Sequence, residues 1–380
     1  MIASPRDDGR TGGENAPVKI AGAGPAGLAA AITLARAGRK VEVHEAHDRV
    51  GFRFGHDLQG LENWSTPGNV LDALRAQGLS TDFDRMPAHQ GMAFDARGRG
   101  YRLRSEQPFF YLLVRGHEAG SLDDALLRQA LSLGVDVRFN SRLKHLDGPG
   151  ILATGPGRAE VIAVGYHFRT DMDDGYWVIC DDTLAPKGYA YLLVMHGHAT
   201  LKTCMFRGFN RQKEYLRRTV AAFHRLVDLR MQDPVFHGGA GHFGLPGCWL
   251  VGRHPVTGEQ AGIQDFLWGF GIRSAIDSGM LAANCLLTGE DYAERSRSMF
   301  LPRMRASAVN RRLFSLLGNR GYGYYLRYAS SRADTREFLR RQYRPSRFKR
   351  LLWPLLARRE GHGANPCNAP DCTCVWCRCG

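Results

Sequence analysis

A short apolar run ending at Lys19-Ile20-Ala21 drops into a glycine turn, and residues 28–37 read as an alanine-rich helix that Gly38 closes. Residues 40–44 carry alternating valines and read as a second strand. Further on, Met92-Ala93-Phe94, the turn Asp95-Ala96-Arg97-Gly98 and residues 101–104 read as a hairpin, and residues 110–114 form another apolar run that ends at Arg115. Ser121-Leu122-Asp123-Asp124 is a helix start, followed by Leu122, Leu126, Leu127, Ala130 and Leu131 at helical spacing and stopped by Gly134. Residues 135–139 and 151–154 are strands. Four further strand patterns, at 159–164, 176–180, 190–195 and 200–206, succeed one another without helices, which implies an antiparallel sheet. A one-sided helix with Leu216, Val220, Phe223, Leu226 and Val227 comes next, then a strand at 248–251, and beyond about residue 292 the pattern is helical up to a cysteine-rich tail.

The order strand, turn, helix, strand at the start of the chain carries Gly22-Ala23-Gly24-Pro25-Ala26-Gly27 in its turn and Glu45 at the end of its second strand. Gly22 permits the tight turn, Gly24 lets backbone approach a phosphate, Ala26 fits beside it, and Gly27 lets helix pack on strand, so a pyrophosphate meets free amides at a helix N-terminus. Pro25 suits the first helical turn, where its missing N–H is no loss. The carboxylate of Glu45 accepts the two hydroxyls of an adenosine ribose and repels a 2′-phosphate, which favours FAD or NAD.

A second glycine signature follows more than 200 residues later: Gly258-Glu259-Gln260-Ala261-Gly262, then Gly269-Phe270-Gly271-Ile272 opening a helix with Ala275, Ile276, Gly279, Ala282 and Ala283. Small residues on one face let that helix approach something closely. An acid such as Glu259 binds ribityl hydroxyls, and Gly271 and Ile272 aim backbone N–H groups at the electron-rich edge of a reduced flavin, where the helix dipole stabilises negative charge. The two signatures together imply an α/β chain: a Rossmann-type FAD-binding domain (18–90, 110–158 and 237–292), an inserted antiparallel β-sheet substrate domain (91–109 and 159–236), and a C-terminal basic helical region (293–362). A flexible N-terminus (1–17) and a Cys-rich tail (363–380) flank them.

This order of parts resembles the flavoproteins of the para-hydroxybenzoate hydroxylase superfamily, and its geranylgeranyl reductase branch in particular, over most of residues 18–290. The resemblance implies that residues 22–27 with Glu45 form the ADP site, that Arg115 reaches the cofactor phosphates, and that Leu143 lies where backbone meets adenine. It further implies that Ala153-Thr154-Gly155 is the turn beneath the ADP half, that Glu259 stands in for the usual aspartate, and that Gly258, Gly262, Gly271 and Ile272 surround the flavin. Pro186-Lys187-Gly188-Tyr189-Ala190-Tyr191 resembles the family's Gly-Tyr-x-Trp strand over the substrate cavity, with Tyr191 replacing the second aromatic and no Phe-Pro after it. Tyr189 and Tyr191 are thereby candidates for binding or proton delivery, and Trp268 either walls the flavin or simply packs. The polar stretch 55–64 is expected near the flavin. The Asp-Gly motif of NADPH-dependent hydroxylases is not evident, so the electron donor, NAD(P)H or another, stays open.

Charge and cysteines add two features. Of the formal net charge of +14, the segment 295–359 holds eighteen arginines and lysines against Asp334 and Glu337. Leucines and aromatics such as Leu316, Tyr324 and Trp353 lie between these charges, a mixture that disfavours nucleic acid and fits either an anionic membrane surface or a basic helical cap on the main body. No apolar run is long enough to span a bilayer and no signal peptide is evident, so a cytoplasmic protein, peripheral at the inner membrane face, is expected. Cys180, Cys204, Cys248 and Cys285 read as reduced core thiols. Cys367, Cys372, Cys374, Cys377 and Cys379 crowd the tail, where they could bind Zn²⁺ or a soft metal, hold an iron–sulfur cluster, or remain a thiol tail or redox disulfide. Three functions follow: an FAD-dependent reductase of a hydrophobic lipid or isoprenoid double bond, a flavin-dependent monooxygenase, or a membrane-associated or metal-binding protein with a vestigial flavin site.

Overall fold

The computed structural model describes residues 16–157 and 160–356. The first βαβ half-unit comprises β1 (Val18–Ala21), α1 (Pro25–Arg36) and β2 (Val41–His44). After it come β3 (Asp57–Glu62), α2 (Val70–Ala76), β4 (Arg85–Ala88), the hairpin β5 (Gln90–Asp95) and β6 (Gly100–Arg104), β7 (Phe110–Arg115), α3 (Leu122–Ser132), β8 (Asp136–Arg138) and β9 (Gly150–Leu152). Strands β10 (Val161–Arg169), β11 (Gly175–Cys180), β12 (Tyr189–Met195) and β13 (His198–Met205) lead to α4 (Gln212–Val227) and β14 (Gln232–Gly241). The short hairpin β15 (Leu250–Val251) and β16 (His254–Pro255) precedes α5 (Ile272–Thr288), α6 (Tyr292–Met299), α7 (Leu301–Ser330), α8 (Thr335–Tyr343) and α9 (Arg347–Leu356).

Three larger sheets and the two-stranded β15-β16 sheet hold the strands among the described residues. A parallel sheet of order β8-β2-β1-β9 carries α1, and Val256 extends it by a parallel bridge to Leu152. The antiparallel sheet β3-β7-β4 lies beside it. A seven-stranded sheet of order β14-β10-β13-β12-β11-β5-β6 is antiparallel throughout except where β5 and β11 run parallel. The expected α/β architecture with an inserted sheet and C-terminal helices is present. Strand β14 runs through residue 237, where the sequence places the return to the cofactor domain, and it pairs with β10 along the sheet edge. Its glycines, its Pro234 and its exposure on both faces hide it from hydrophobic patterning, and an edge is where a proline is tolerated in a sheet.

Each half has its own core. Leu28, Ala29, Ile32, Ile276, Ala282 and Ala283 are fully or almost fully buried between the parallel sheet and α5. The small-residue face of α5 lies on α1: a Cβ at Gly279 would stand 2.0 Å from the Ala26 carbonyl oxygen, so only glycine allows this approach. On the outer face of the large sheet, α4 buries Leu216, Ala222 and Phe223; removing Phe223 from water contributes about 2–3 kcal/mol. The inner face meets α7 and α8 through Phe314, Tyr322, Leu326 and Leu339. Gly318, at φ 58°, breaks α7 into two segments. Arg336 on α8 donates to the carbonyls of Asn63, Thr66, Pro67 and Gly68, and so ties the basic helices to the loop after β3. Cys180, Cys204 and Cys285 are buried free thiols, whereas Cys248 departs from the expectation and is disulfide-bonded. The five tail cysteines lie outside the described residues, as does most of the N-terminal lead-in.

Candidate active site

A cavity of about 500 Å³ runs from the N-terminus of α1, past Glu45 and the N-terminus of α5, to the underside of α7 and α8. That volume lies within the usual range for small-molecule sites. At its nucleotide end, Gly22 has φ +104° and a Cβ there would lie 2.2 Å from the Ala153 carbonyl oxygen, while a Cβ at Gly27 would lie 1.9 Å from that of Gly22. Gly24 is different: a Cβ would meet no protein atom within 4 Å, and the residue opens onto the cavity beside Ala26 and Pro25. The turn thus offers both a space and the first amides of α1 to an anion.

Glu45 faces the same space. The Ala23 N–H donates to its Oε2 (2.9 Å) and the His47 N–H to its Oε1 (3.1 Å), which fixes the carboxylate while leaving acceptor capacity for ribose hydroxyls. Glu259 lies further along, half-buried, accepting from the His242 N–H (3.2 Å) and facing Arg53 at 3.6 Å. Burial pushes its carboxyl above the ordinary range, against the pull of Arg53 and of the His242 amide. Gly271 caps α5 and Ile272 begins it, and both line the cavity. The loop before them is organised by Asp265, whose carboxylate accepts from the Leu267 and Trp268 amides and from the hydroxyls of Ser307 and Tyr343. These features fit FAD: an open glycine with helix amides at one end, acids spaced along the groove, and a second helix N-terminus at the other.

Arg115 is also on the cavity wall, but its guanidinium is engaged. It makes a two-pronged bond to buried Asp123 (2.7 and 2.9 Å), donates to Gln59 (3.0 Å), and sits over the Phe54 ring. Leu143 packs against the parallel-sheet core and Gly262 makes a turn against the Gly244 carbonyl; neither borders the cavity. The turn at Ala153, Thr154 and Gly155 does border it, and the Thr154 N–H is taken by the Gln260 side chain (2.8 Å).

The opposite wall is the inner face of the large sheet. Tyr189 and Tyr191 on β12 both line the cavity, with ring centroids 6.0 Å apart. Tyr189 donates its hydroxyl to the Trp268 carbonyl and meets the Trp268 ring edge-on, so that tryptophan both lines the cavity and packs. Burial pushes both phenols well above their ordinary range. The wall also contains a group that hydrophobic patterning passes over: Lys202 on β13, paired with Asp57 on β3. The polar stretch 55–64 holds that aspartate and four more wall residues, Leu58, Gln59, Gly60 and Trp64. Only the packing of β3 against β13, strands of two different sheets, would have revealed the pairing.

A family profile, the NAD(P)-binding Rossmann-like domain, matches residues 20–84. The digeranylgeranylglycerophospholipid reductase of Haloferax volcanii is 26% identical over 317 residues, 71% of this chain and 75% of that protein. A geranylgeranyl bacteriochlorophyll reductase-like protein from Thermoplasma acidophilum superposes with a TM-score of 0.70 at 18% identity, over 90% of this chain and 99% of that one. The chain is thus similar to reductases of the geranylgeranyl type over most of its length. A p-nitrophenol 4-monooxygenase from Pseudomonas putida shares the fold more loosely, with a TM-score of 0.62 at 14% identity over 87% of this chain and 98% of that one. The geranylgeranyl reductase-like chain is accordingly an FAD-dependent oxidoreductase.

Proposed function

We propose that the chain reduces a carbon–carbon double bond of a hydrophobic isoprenoid or lipid chain. The observation that carries this reading is the apolar part of the cavity lining, where Leu103, Phe110, Tyr176, Val178, Leu326, Phe338 and Leu339 border the same cavity as the cofactor groove. A polyene chain would fill such a space, and a small polar aromatic would leave it largely empty. Bound FAD, restored by NAD(P)H or another donor, supplies hydride. The protein contributes the rest: the N-terminal amides of α5 hold the cofactor, Trp268 and Tyr189 orient the chain, and the aromatic lining excludes water. The likeness to the Haloferax reductase supports the substrate class.

The helix that covers the far end of the cavity also carries a surface suited to lipid. Leu316, Tyr324 and Leu351 are 75%, 73% and 73% exposed, and the exposed arginines Arg320, Arg327, Arg347 and Arg350 lie among them on α7 and α9. The opposite face of α7 supplies Tyr325, Leu326 and Ala329 to the cavity. Apolar side chains set among cations fit the interface of an anionic bilayer. No helix among the described residues is long and apolar enough to cross one.

The test is to reduce the FAD-loaded protein anaerobically, add unsaturated isoprenoid lipid, and analyse products by mass spectrometry. Products heavier by two hydrogens are expected. Aerobic products heavier by one oxygen would instead favour the monooxygenase chemistry of the Pseudomonas neighbour, and absence of any +2 H product counts against reduction. For the surface, the double substitution Tyr324→Glu and Leu351→Glu should lower the partition onto anionic vesicles, read by co-sedimentation, roughly thirtyfold, as about 1 kcal/mol for each introduced charge implies.

A further inference from the structure

Lys202 and Asp57 form an ion pair that is almost fully enclosed. The lysine Nζ lies 2.6 Å from Asp57 Oδ2, and the two side chains are 3% and 2% exposed. Gln59 donates to the same carboxylate oxygen (3.0 Å), and His167 Nε2 meets the other at 3.1 Å. His167 is 12% exposed and stacks on His237 at 4.4 Å, while His237 is held by the Arg53 carbonyl (2.8 Å). Burial opposes ionisation of Asp57, yet Lys202 and His167 outweigh it and hold the carboxyl well below its usual range. The charged arginines nearby are committed elsewhere, Arg115 to Asp123 and Arg53 to Glu259.

A buried pair of this kind is no better for stability than apolar residues of the same size, and a wall that only contacts a hydrocarbon has no use for one. Asp57, His167 and His237 could together place three ligand atoms around a cation, but the ammonium of Lys202 already occupies the carboxylate. What remains is an unbroken series of titratable groups from the solvent-touched His167, through Asp57, to an ammonium on the cavity wall beside Tyr191, its partner across β12 and β13. Tyr189 cannot serve in its place without giving up its bond to Trp268.

We propose that Lys202 Nζ holds the proton that the reduction adds to the substrate, and that Asp57 and His167 resupply it from solvent. The proposal rests on the reduction reading above. The π bond opens, one carbon takes a hydride from the reduced cofactor, and the other forms its C–H bond with the proton leaving Nζ. Lys202 is left as a neutral amine; the Asp57 carboxylate takes a proton from His167 and passes one to that amine, ending as the carboxylate it began as, and His167 takes its replacement from water. A two-electron donor of the nicotinamide class restores the electrons that left with the hydride.

The experiment compares Lys202→Arg, the double substitution Lys202→Met with Asp57→Asn, and His167→Gln in the FAD-loaded protein, using geranylgeraniol in detergent micelles as probe. Arginine keeps the charge opposite Asp57 but does not release a proton in the working range. The double variant removes both charges at once, so neither is left buried alone. Both should retain FAD and its reduction by dithionite, while single-turnover product formation falls at least about 100-fold, as loss of a general acid implies. Product formation within threefold of wild type in either variant that keeps FAD overturns the proposal. A readout independent of turnover is the Lys202 Cε resonance of ¹³C-lysine-labelled protein, assigned by its loss in Lys202→Arg. Its titration should shift in His167→Gln, and an unmoved titration would also overturn the relay. If the wild type makes no +2 H product, the reduction reading fails, and the lysine resonance still decides whether the relay exists.

Discussion

On the nucleotide side of the cavity, the groups that meet a ligand are mostly backbone: the amides of α1, the carbonyl-crowded turn at Gly22 and Gly27, and the N-terminus of α5. On the sheet side they are side chains drawn from several strands, Lys202 from β13, Asp57 from β3, Tyr189 and Tyr191 from β12. The first wall depends on atoms being absent, since a Cβ at Gly22 or Gly27 would enter a neighbour's carbonyl. The second depends on polar atoms being present and paired where water cannot reach them. A backbone wall serves any dinucleotide of the right length, while a side-chain wall can be altered one residue at a time to suit a substrate and its chemistry.

The sharpest way to break the first wall is to add one carbon. Gly27→Ala would place its Cβ 1.9 Å from the Gly22 carbonyl oxygen, and because backbone cannot swing aside, we expect a loss on the order of 4 kcal/mol in denaturant unfolding and failure to retain FAD. Gly24→Ala provides the contrast, since its Cβ meets nothing in the protein. Stability should change by less than about 0.5 kcal/mol, while FAD affinity in a titration falls. Equal effects on stability at the two positions would contradict the separation of fold from binding within this turn.

The second wall breaks by removing a partner. Asp57→Asn leaves the Lys202 ammonium enclosed without its counter-charge, which should cost about 3 kcal/mol in the same unfolding measurement. A change below about 1 kcal/mol would mean that the pair is solvated in solution.

The same difference explains what could be read in advance. The glycine turns lie within short continuous stretches whose chemistry follows from their spacing, so residues 22–27 with Glu45 and residues 269–272 were legible. Strand β3 was not: Asp57, Gln59 and Glu62 stood only in a polar stretch expected near the flavin, because hydrophobic patterning does not mark a strand with buried polar residues, and Asp57 is buried by its pairing with Lys202, 145 residues away. Arg115 was found, but its tie to Asp123 was not, since the helix start Ser121-Leu122-Asp123 has a sufficient local explanation in the Ser121 cap. Side-chain sites assembled between two sheets require knowing how the sheets pack, and neither composition nor periodicity supplies it.

A pH dependence separates the walls again. Burial pushes the Asp277 carboxyl on α5 up to about 6, although Arg273 at 3.8 Å pulls the other way. Because the folded value is raised from 3.8, its stabilising contribution is full below that pH and is lost as the pH climbs through 6. Between pH 4 and pH 7 the wild type should therefore lose on the order of 2 kcal/mol relative to Asp277→Asn. Asp57 behaves oppositely: its carboxyl is held low, so its contribution persists down to acid pH and does not enter this window. Parallel pH–stability curves for wild type and Asp277→Asn would refute the assignment.

The smallest expected effect on the sheet side is at Tyr189, and it tests how that wall divides its work. Its hydroxyl already donates to the Trp268 carbonyl, and its ring meets that tryptophan edge-on. Tyr189→Phe keeps the ring and deletes one neutral hydrogen bond, so stability should fall by about 1 kcal/mol. If the hydroxyl serves to place Trp268, the substitution weakens substrate binding in the steady state and leaves the pH profile of turnover unchanged. If it were a proton source, the limiting rate would fall instead, and the slow variant would keep wild-type affinity. The two outcomes lie on different kinetic parameters, so one substrate-dependence series at two pH values separates a residue that shapes the wall from one that acts through it.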